Sequence, residues 1–171
     1  MMAHMPRDFI DPLNLLIIRH ADAGNPFDDP LEDLSRPLSA KGLTQAALLK
    51  NWIRKTLSGD VKVVSSPAVR TAQTAKACGL KAKTDDRLLP NANLSDVCEL
   101  LRDQGPHLHR KGPLVLVGHQ PLLGQLLAYL VAGVPQQCWD IRKGTLWWLR
   151  FEDGEQFWRI LTVVDPRLSG K

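Results

Sequence analysis

The sequence predicts an α/β three-layer sandwich: a mostly parallel central sheet with helices on both faces and a C-terminal antiparallel hairpin. Three observations predict it. Short apolar runs alternate with longer stretches of helical spacing, the pattern of successive β–α–β units. Three of those runs end in reactive or small polar residues, Arg19-His20, Ser65-Ser66 and Gly118-His119. The last two runs flank a turn closely enough to pair as a hairpin.

In chain order, "LNLLIIRH" (13–20) reads as a buried strand and "NPFDDPLEDLSRP" (25–37), with three prolines and many acids, as a loop. "LSAKGLTQAALLKNWIRKTLSG" (38–59) reads as a helix with Ser39 as N-cap and Gly59 as its stop. "VKVVSS" (61–66) is a second strand, and "PAVRTAQTAKACG" (67–79) a helix opened by Pro67. "LSDVCELLRDQG" (94–105) is a third helix, capped by Ser95, and "GPLVLVGH" (112–119) a buried strand. "PLLGQLLAYLVAG" (121–133) is an apolar helix between a proline and a glycine. "GTLWWLRFE" and "QFWRILTVV", around "EDGE", form the hairpin, where most of the five tryptophans serve packing. Residues 1–12 are expected as a flexible leader and 13–168 as one domain.

A chain of 171 residues can bury one ordinary core. Its net charge of +4 comes from scattered basic residues, with no block long enough for a nucleic-acid tail. No apolar run approaches the roughly 18 residues of a membrane span, and the first residues lack the apolar middle of a signal peptide. Cys78, Cys98 and Cys138 are an odd count without C-x-x-C spacing, which points away from a disulfide framework and toward the cytoplasm. Neither a nucleic-acid nor a membrane partner is expected.

In a mostly parallel sheet, ligands gather at the carboxyl ends of the strands. That geometry brings Arg19, His20 and His119 toward one pocket, with Arg70 one turn into the helix after the second strand. Guanidinium forks match phosphate oxygens, and helix N-termini add N–H donors. Nearby positive charge disfavours protonation of an imidazole, so one histidine can stay neutral near pH 7 and attack phosphorus while the other either is protonated or donates a hydrogen bond to a phosphoryl oxygen. Phosphoryl transfer asks mainly for positioning and charge stabilisation, which such a pocket supplies without a cofactor.

The segments "RHADA" (19–23), "RPLSAKG" (36–42), "SSPAVRTAQTA" (65–75) and "GHQP" (118–121) resemble, in this order, the histidine phosphatase superfamily, also called phosphoglycerate-mutase-like. Their wording and the short chain look closest to its SixA-like branch of phosphohistidine phosphatases. The resemblance covers about residues 13 to 165. It implies His20 as a nucleophile that becomes phosphohistidine, Arg19 and Arg70 as phosphate ligands, and His119 as the second histidine of the pocket. Ser66, or Ser65, is a further candidate for phosphate contact beside a capping role. Arg36 is read as a brace for the acidic loop around it.

One departure bears on substrate. Larger members of the family carry a glutamate that protonates the leaving oxygen, and the matching stretch "DDRLLPNANLSD" (85–96) has none. Asp22 is a candidate substitute. An alkoxide gains about 10²–10⁴-fold from a placed proton donor. A phosphorylated imidazole can instead take a proton on its free ring nitrogen and leave as a neutral ring. A short chain also leaves little room for a lid domain. A phosphohistidine on a partner protein is therefore the expected substrate, with small phosphate esters as the alternative and a phosphoprotein-binding module without catalysis as the third choice. Metal catalysis is not expected. His107 and His109 form an H-x-H pair in a basic loop at the far end of a strand, and arginines beside His20 and His119 would repel a cation.

Overall fold

A computed structural model of the protein describes residues 13–110, 112–152 and 154–168. The leader expected over 1–12 lies outside the described residues.

Six strands form one sheet in the order β3-β2-β4-β1-β5-β6. They are β1 (Leu13–Arg19), β2 (Lys62–Ser65), β3 (Ala82–Thr84), β4 (Leu114–Gly118), β5 (Leu146–Phe151) and β6 (Arg159–Val164). The first four run parallel to one another, whereas β5 pairs antiparallel with both β1 and β6. The sandwich with its terminal hairpin is the expected architecture.

β1 shows why its sequence is an unbroken apolar run. Successive side chains of a strand point to opposite faces. Leu13, Leu15 and Ile17 enter one core cluster, and Leu16 and Ile18 the other. A strand covered on both faces has no polar side to present. Leu15 is fully buried, so Leu15→Ala would cost about 2–5 kcal/mol.

Among the described residues the helices are α1 (Pro30–Asp33), α2 (Ala40–Thr56), α3 (Val69–Ala77), α4 (Leu94–Arg110) and α5 (Leu122–Ala132). α4 and α5 pack their apolar stripes into the first cluster, α2 and α3 into the second. In α2 the stripe is Gly42, Gln45, Ala46, Leu49 and Ile53, and Ser39 caps it by accepting from Gly42 N. α5 ends on Gly133 in the left-handed conformation (φ 68°), as expected for a glycine stop. None of the helices is long and apolar enough to cross a membrane.

Several boundaries differ from expectation, each for a local reason. The Pro-rich acidic loop contains α1, because Asp29 accepts from Leu31 N and Glu32 N and Pro30 starts the turn. α2 stops at Thr56, where Leu57 turns extended, so Gly59 lies beyond its end. α3 begins at Val69 and not at Pro67, since Ala68 keeps an extended ψ of 140°. α4 is capped by Asn93, whose Oδ1 accepts from Ser95 N and Asp96 N while Asp96 Oδ2 accepts from Asn93 N. α4 also runs on through Gly105 and Pro106. Leu108, four residues beyond Gln104, continues the buried face, and its burial helps offset the bond that proline removes. The H-x-H pair of His107 and His109 therefore lies in the last turns of a helix and not in a loop. β3, three residues at a sheet edge of which Lys83 and Thr84 are exposed, had no apolar alternation to reveal it.

Candidate active site

The carboxyl ends of β1, β2 and β4 lie side by side. Arg19 pairs with Gly118, and Ser65 with Val117. The pairing continues one step past each strand: His20 N donates to Gly118 O (3.0 Å), and Ser66 N to Val117 O (3.0 Å). Backbone hydrogen bonding thus places His20, Ser66 and His119 together at the sheet's rim. The two imidazoles have ring centroids 5.2 Å apart, and the side chains are 5% and 2% exposed.

His20 Nδ1 is 2.8 Å from Ala21 O. A carbonyl oxygen can only accept, so Nδ1 carries the proton and Nε2 keeps its lone pair. Burial, reinforced by the charges of Arg70, Arg19 and Lys143 and opposed by the Ala21 hydrogen bond, lowers the His20 pKa to about 4. At neutral pH this ring is uncharged. His119 Nε2 lies 2.9 Å from Ser66 Oγ, while its buried Nδ1 has no protein partner. Burial, with His20 and Arg70 adding to it, lowers the His119 pKa to about 2. Ser66 Oγ also accepts from Ala68 N (3.3 Å), so its capping role coexists with the contact to His119. The Ser65 hydroxyl is spent on Ser66 O (2.9 Å).

Both arginines act on the two histidines. Arg19 Nη1 donates to Ile141 O (2.5 Å), in the loop between α5 and β5. Arg70 Nη1 donates to Asp33 O (2.7 Å) and pairs with Asp33 Oδ2 (3.2 Å). Each guanidinium keeps a buried Nε–H without a protein acceptor. Burial lowers both pKa values, partly opposed by Asp140 at Arg19 and by Asp33 at Arg70. One buried and one half-buried guanidinium, two neutral imidazoles and unspent N–H donors favour a compact oxyanion.

Asp33 organises one wall of the site. Its Oδ1 accepts from Arg36 Nε (2.6 Å) and Phe27 N (2.8 Å). The Arg36 contact, followed by Phe27 N and the charge of Arg70, holds the Asp33 carboxyl near 2 against the opposing effect of burial. Arg36 Nη1 also donates to Ala23 O (2.9 Å) and Gly24 O (3.1 Å), which brings it to the acidic loop. Asp22 Oδ2 accepts from Ser39 Oγ (2.6 Å), and its Oδ1 lies 3.6 Å from Lys143 Nζ. The serine hydroxyl above all lowers the Asp22 pKa. These contacts favour the ionised carboxylate.

Glycines let the segments meet. A Cβ on Gly42 would sit 2.0 Å from Asp22 O, so only glycine lets α2 abut the loop after His20. Gly144, at φ 72°, donates its N–H to both Arg19 O and His20 O (3.1 Å each). Sequence reasoning missed Asp33, Lys143 and Gly144. The only signal for Lys143-Gly144 was a basic pair before a strand, which usually marks a surface turn.

The model of the histidine phosphatase superfamily (branch 1) matches residues 15–94. Phosphohistidine phosphatase SixA of Escherichia coli is 28% identical over 71% of this chain and 76% of its own. A Mycobacterium tuberculosis protein, Rv1276c, is 31% identical over 67% of this chain and 70% of its own. A solved structure of the protein histidine phosphatase SixA complexed with tungstate superposes with a TM-score of 0.73 at 22% identity, covering 91% of this chain and 99% of that one.

Proposed function

Because the chain belongs to the histidine phosphatase superfamily, we propose that it is a phosphatase that works through a covalent phosphohistidine at His20 and takes phosphohistidine on a partner protein as substrate. The observation that carries this reading is the Ala21 carbonyl on His20 Nδ1, which leaves Nε2 as the free nucleophile among cationic neighbours.

The phosphoryl group sits between Arg19 and Arg70, whose unspent Nε–H groups donate to its oxygens. Ser66 Oγ, accepting from Ala68 N, donates a hydrogen bond to His119 Nε2, so His119 keeps its proton on Nδ1 and points a further donor at the phosphoryl group. Nε2 of His20 forms the new N–P bond as the substrate's N–P bond breaks. The departing imidazole takes a proton from solvent on its other ring nitrogen and leaves neutral. Water then attacks phosphorus, breaks the His20 N–P bond and yields inorganic phosphate, returning His20 to its starting tautomer. Charge stabilisation at phosphorus comes from guanidinium groups, and the reaction needs no metal.

The ionised Asp22 supports a phosphohistidine over an ester, because the ester's alkoxide would lack an acid there. Three free cysteines suit a reducing cytoplasm. Turnover of a phosphohistidine peptide beside a panel of sugar phosphates and nucleotides tests the substrate. The peptide is expected to have the higher kcat/KM, and a tenfold advantage for small esters would contradict the choice.

A further inference from the structure

Phe27 and Leu31 lie on the segment that carries Asp33, the partner of Arg70, and they are 46% and 78% exposed. The other exposed large apolar residues among those described are on α2, on β6 and near the C-terminus. This pair is different because it is wired to the site. Phe27 N donates to Asp33 Oδ1, and Asp33 Oδ2 pairs with Arg70. Leu31 N donates to the Asp29 cap of α1 (2.7 Å), and the segment is tied to the start of α3 by Val69 N to Leu34 O (2.8 Å). Beside the two apolar side chains stand Asp28 and Glu32, both exposed and without an ion pair among the described residues.

Leaving two large apolar side chains in water, four residues apart on one ordered segment that also carries the Arg70 partner Asp33, forfeits free energy that a docked chain would recover. Its position selects the occupant, since anything lying on it is next to a group held by Arg70. Charge selects further: on a chain of net charge +4, this rim is locally acidic. The segment is already ordered by Asp29 and Asp33, so docking costs little conformational entropy.

We propose that Phe27 and Leu31, flanked by Asp28 and Glu32, form a docking lip for the polypeptide that carries the phosphohistidine, and that this partner presents apolar side chains beside lysine or arginine. The proposal rests on the phosphatase reading above and adds to it the surface by which a protein substrate is recognised. The lip contributes to capture and not to the chemistry at phosphorus.

The test uses three substrates: free phosphohistidine, a peptide with one phosphorylated histidine among leucines and lysines, and the same peptide with glutamates for the lysines. Wild-type protein is expected to favour the lysine peptide over the glutamate peptide by about tenfold in kcat/KM, the factor that corresponds to about 1.4 kcal/mol. The double variant Phe27→Ser, Leu31→Ser should lose most of its activity on the lysine peptide and keep its rate on free phosphohistidine. Asp28→Lys with Glu32→Lys should reverse the peptide preference. Equal rates on both peptides, or equal losses by the serine variant on all three substrates, would overturn the lip and leave the phosphatase intact. Self-association of the wild type that the serine variant abolishes, with peptide rates unchanged, would assign the lip to a second copy of the chain and overturn it too. Failure of the wild type on all three substrates would instead remove the phosphatase reading, and the lip with it.

Discussion

The rings of His20 and His119 stand 5.2 Å apart with their planes at 56°, each buried at the end of a neighbouring parallel strand. Two imidazoles this close, beside two arginines, cannot both carry charge cheaply. With its pKa lowered to about 4, His20 should show an NMR titration midpoint near pH 4 in the folded protein. A midpoint near the ordinary 6.5 would contradict the neutral nucleophile. The same shift links to stability. Between about pH 6.5 and 4 the unfolded chain binds the proton and the folded chain does not, so stability falls as pH drops through that window. Melting temperature should decline from pH 6.5 to 4, and a flat profile would count against the shift.

Arg70 reaches the site with Asp33 on one nitrogen and an unspent Nε–H on the same guanidinium. Arg70→Lys keeps a positive charge and loses the fork, so kcat/KM should fall by about 10²–10³-fold. Tungstate affinity, measured by calorimetry, should weaken in parallel. Near-wild-type rates in a folded Arg70→Lys protein would exclude Arg70 from the phosphate site.

Ser66 Oγ contacts His119 Nε2 (2.9 Å), which in the proposed reaction makes it a positioning residue. In Ser66→Ala the ring loses the partner that fixes its tautomer, and kcat should fall by about tenfold, the effect of roughly 1.4 kcal/mol. KM should change little. Ser66→Thr retains the hydroxyl and should recover part of the rate. A loss confined to KM, or no recovery by threonine, would argue for a packing role.

Gly42→Ala tests the seam between α2 and the loop behind His20. Alanine favours a helix by about 1 kcal/mol, but its Cβ would lie 2.0 Å from Asp22 O. The clash should dominate at about 1–3 kcal/mol and lower the melting temperature by several degrees. A more stable Gly42→Ala protein would show that the two segments do not abut this closely.

The parts legible in the sequence are those whose information is local. β1 and β4 are apolar runs broken by a histidine, and a strand buried on both faces must look that way. Arg19, His20 and His119 follow from those strand ends, and Arg70 from its place one turn into a helix. Asp33 could not be read the same way. It looks like one more acid in a Pro-rich loop, and its importance comes from Arg70, 37 residues away in sequence. Lys143 and Gly144 likewise matter because their loop folds back on Arg19 and His20. The helix α4 outran its expected end because burial of Leu108 outweighed local breakers at Gly105 and Pro106, and propensity alone cannot weigh that contest.

The central claim is that the His20 ring bonds covalently to the phosphoryl group during turnover. Rapid quenching with a ³²P-labelled phosphohistidine peptide, followed by peptide mapping, tests it directly. Acid-labile, base-stable label is expected on the peptide containing His20 and absent from His20→Ala protein that still binds tungstate. Label elsewhere, or undiminished hydrolysis by the His20→Ala protein, would contradict it.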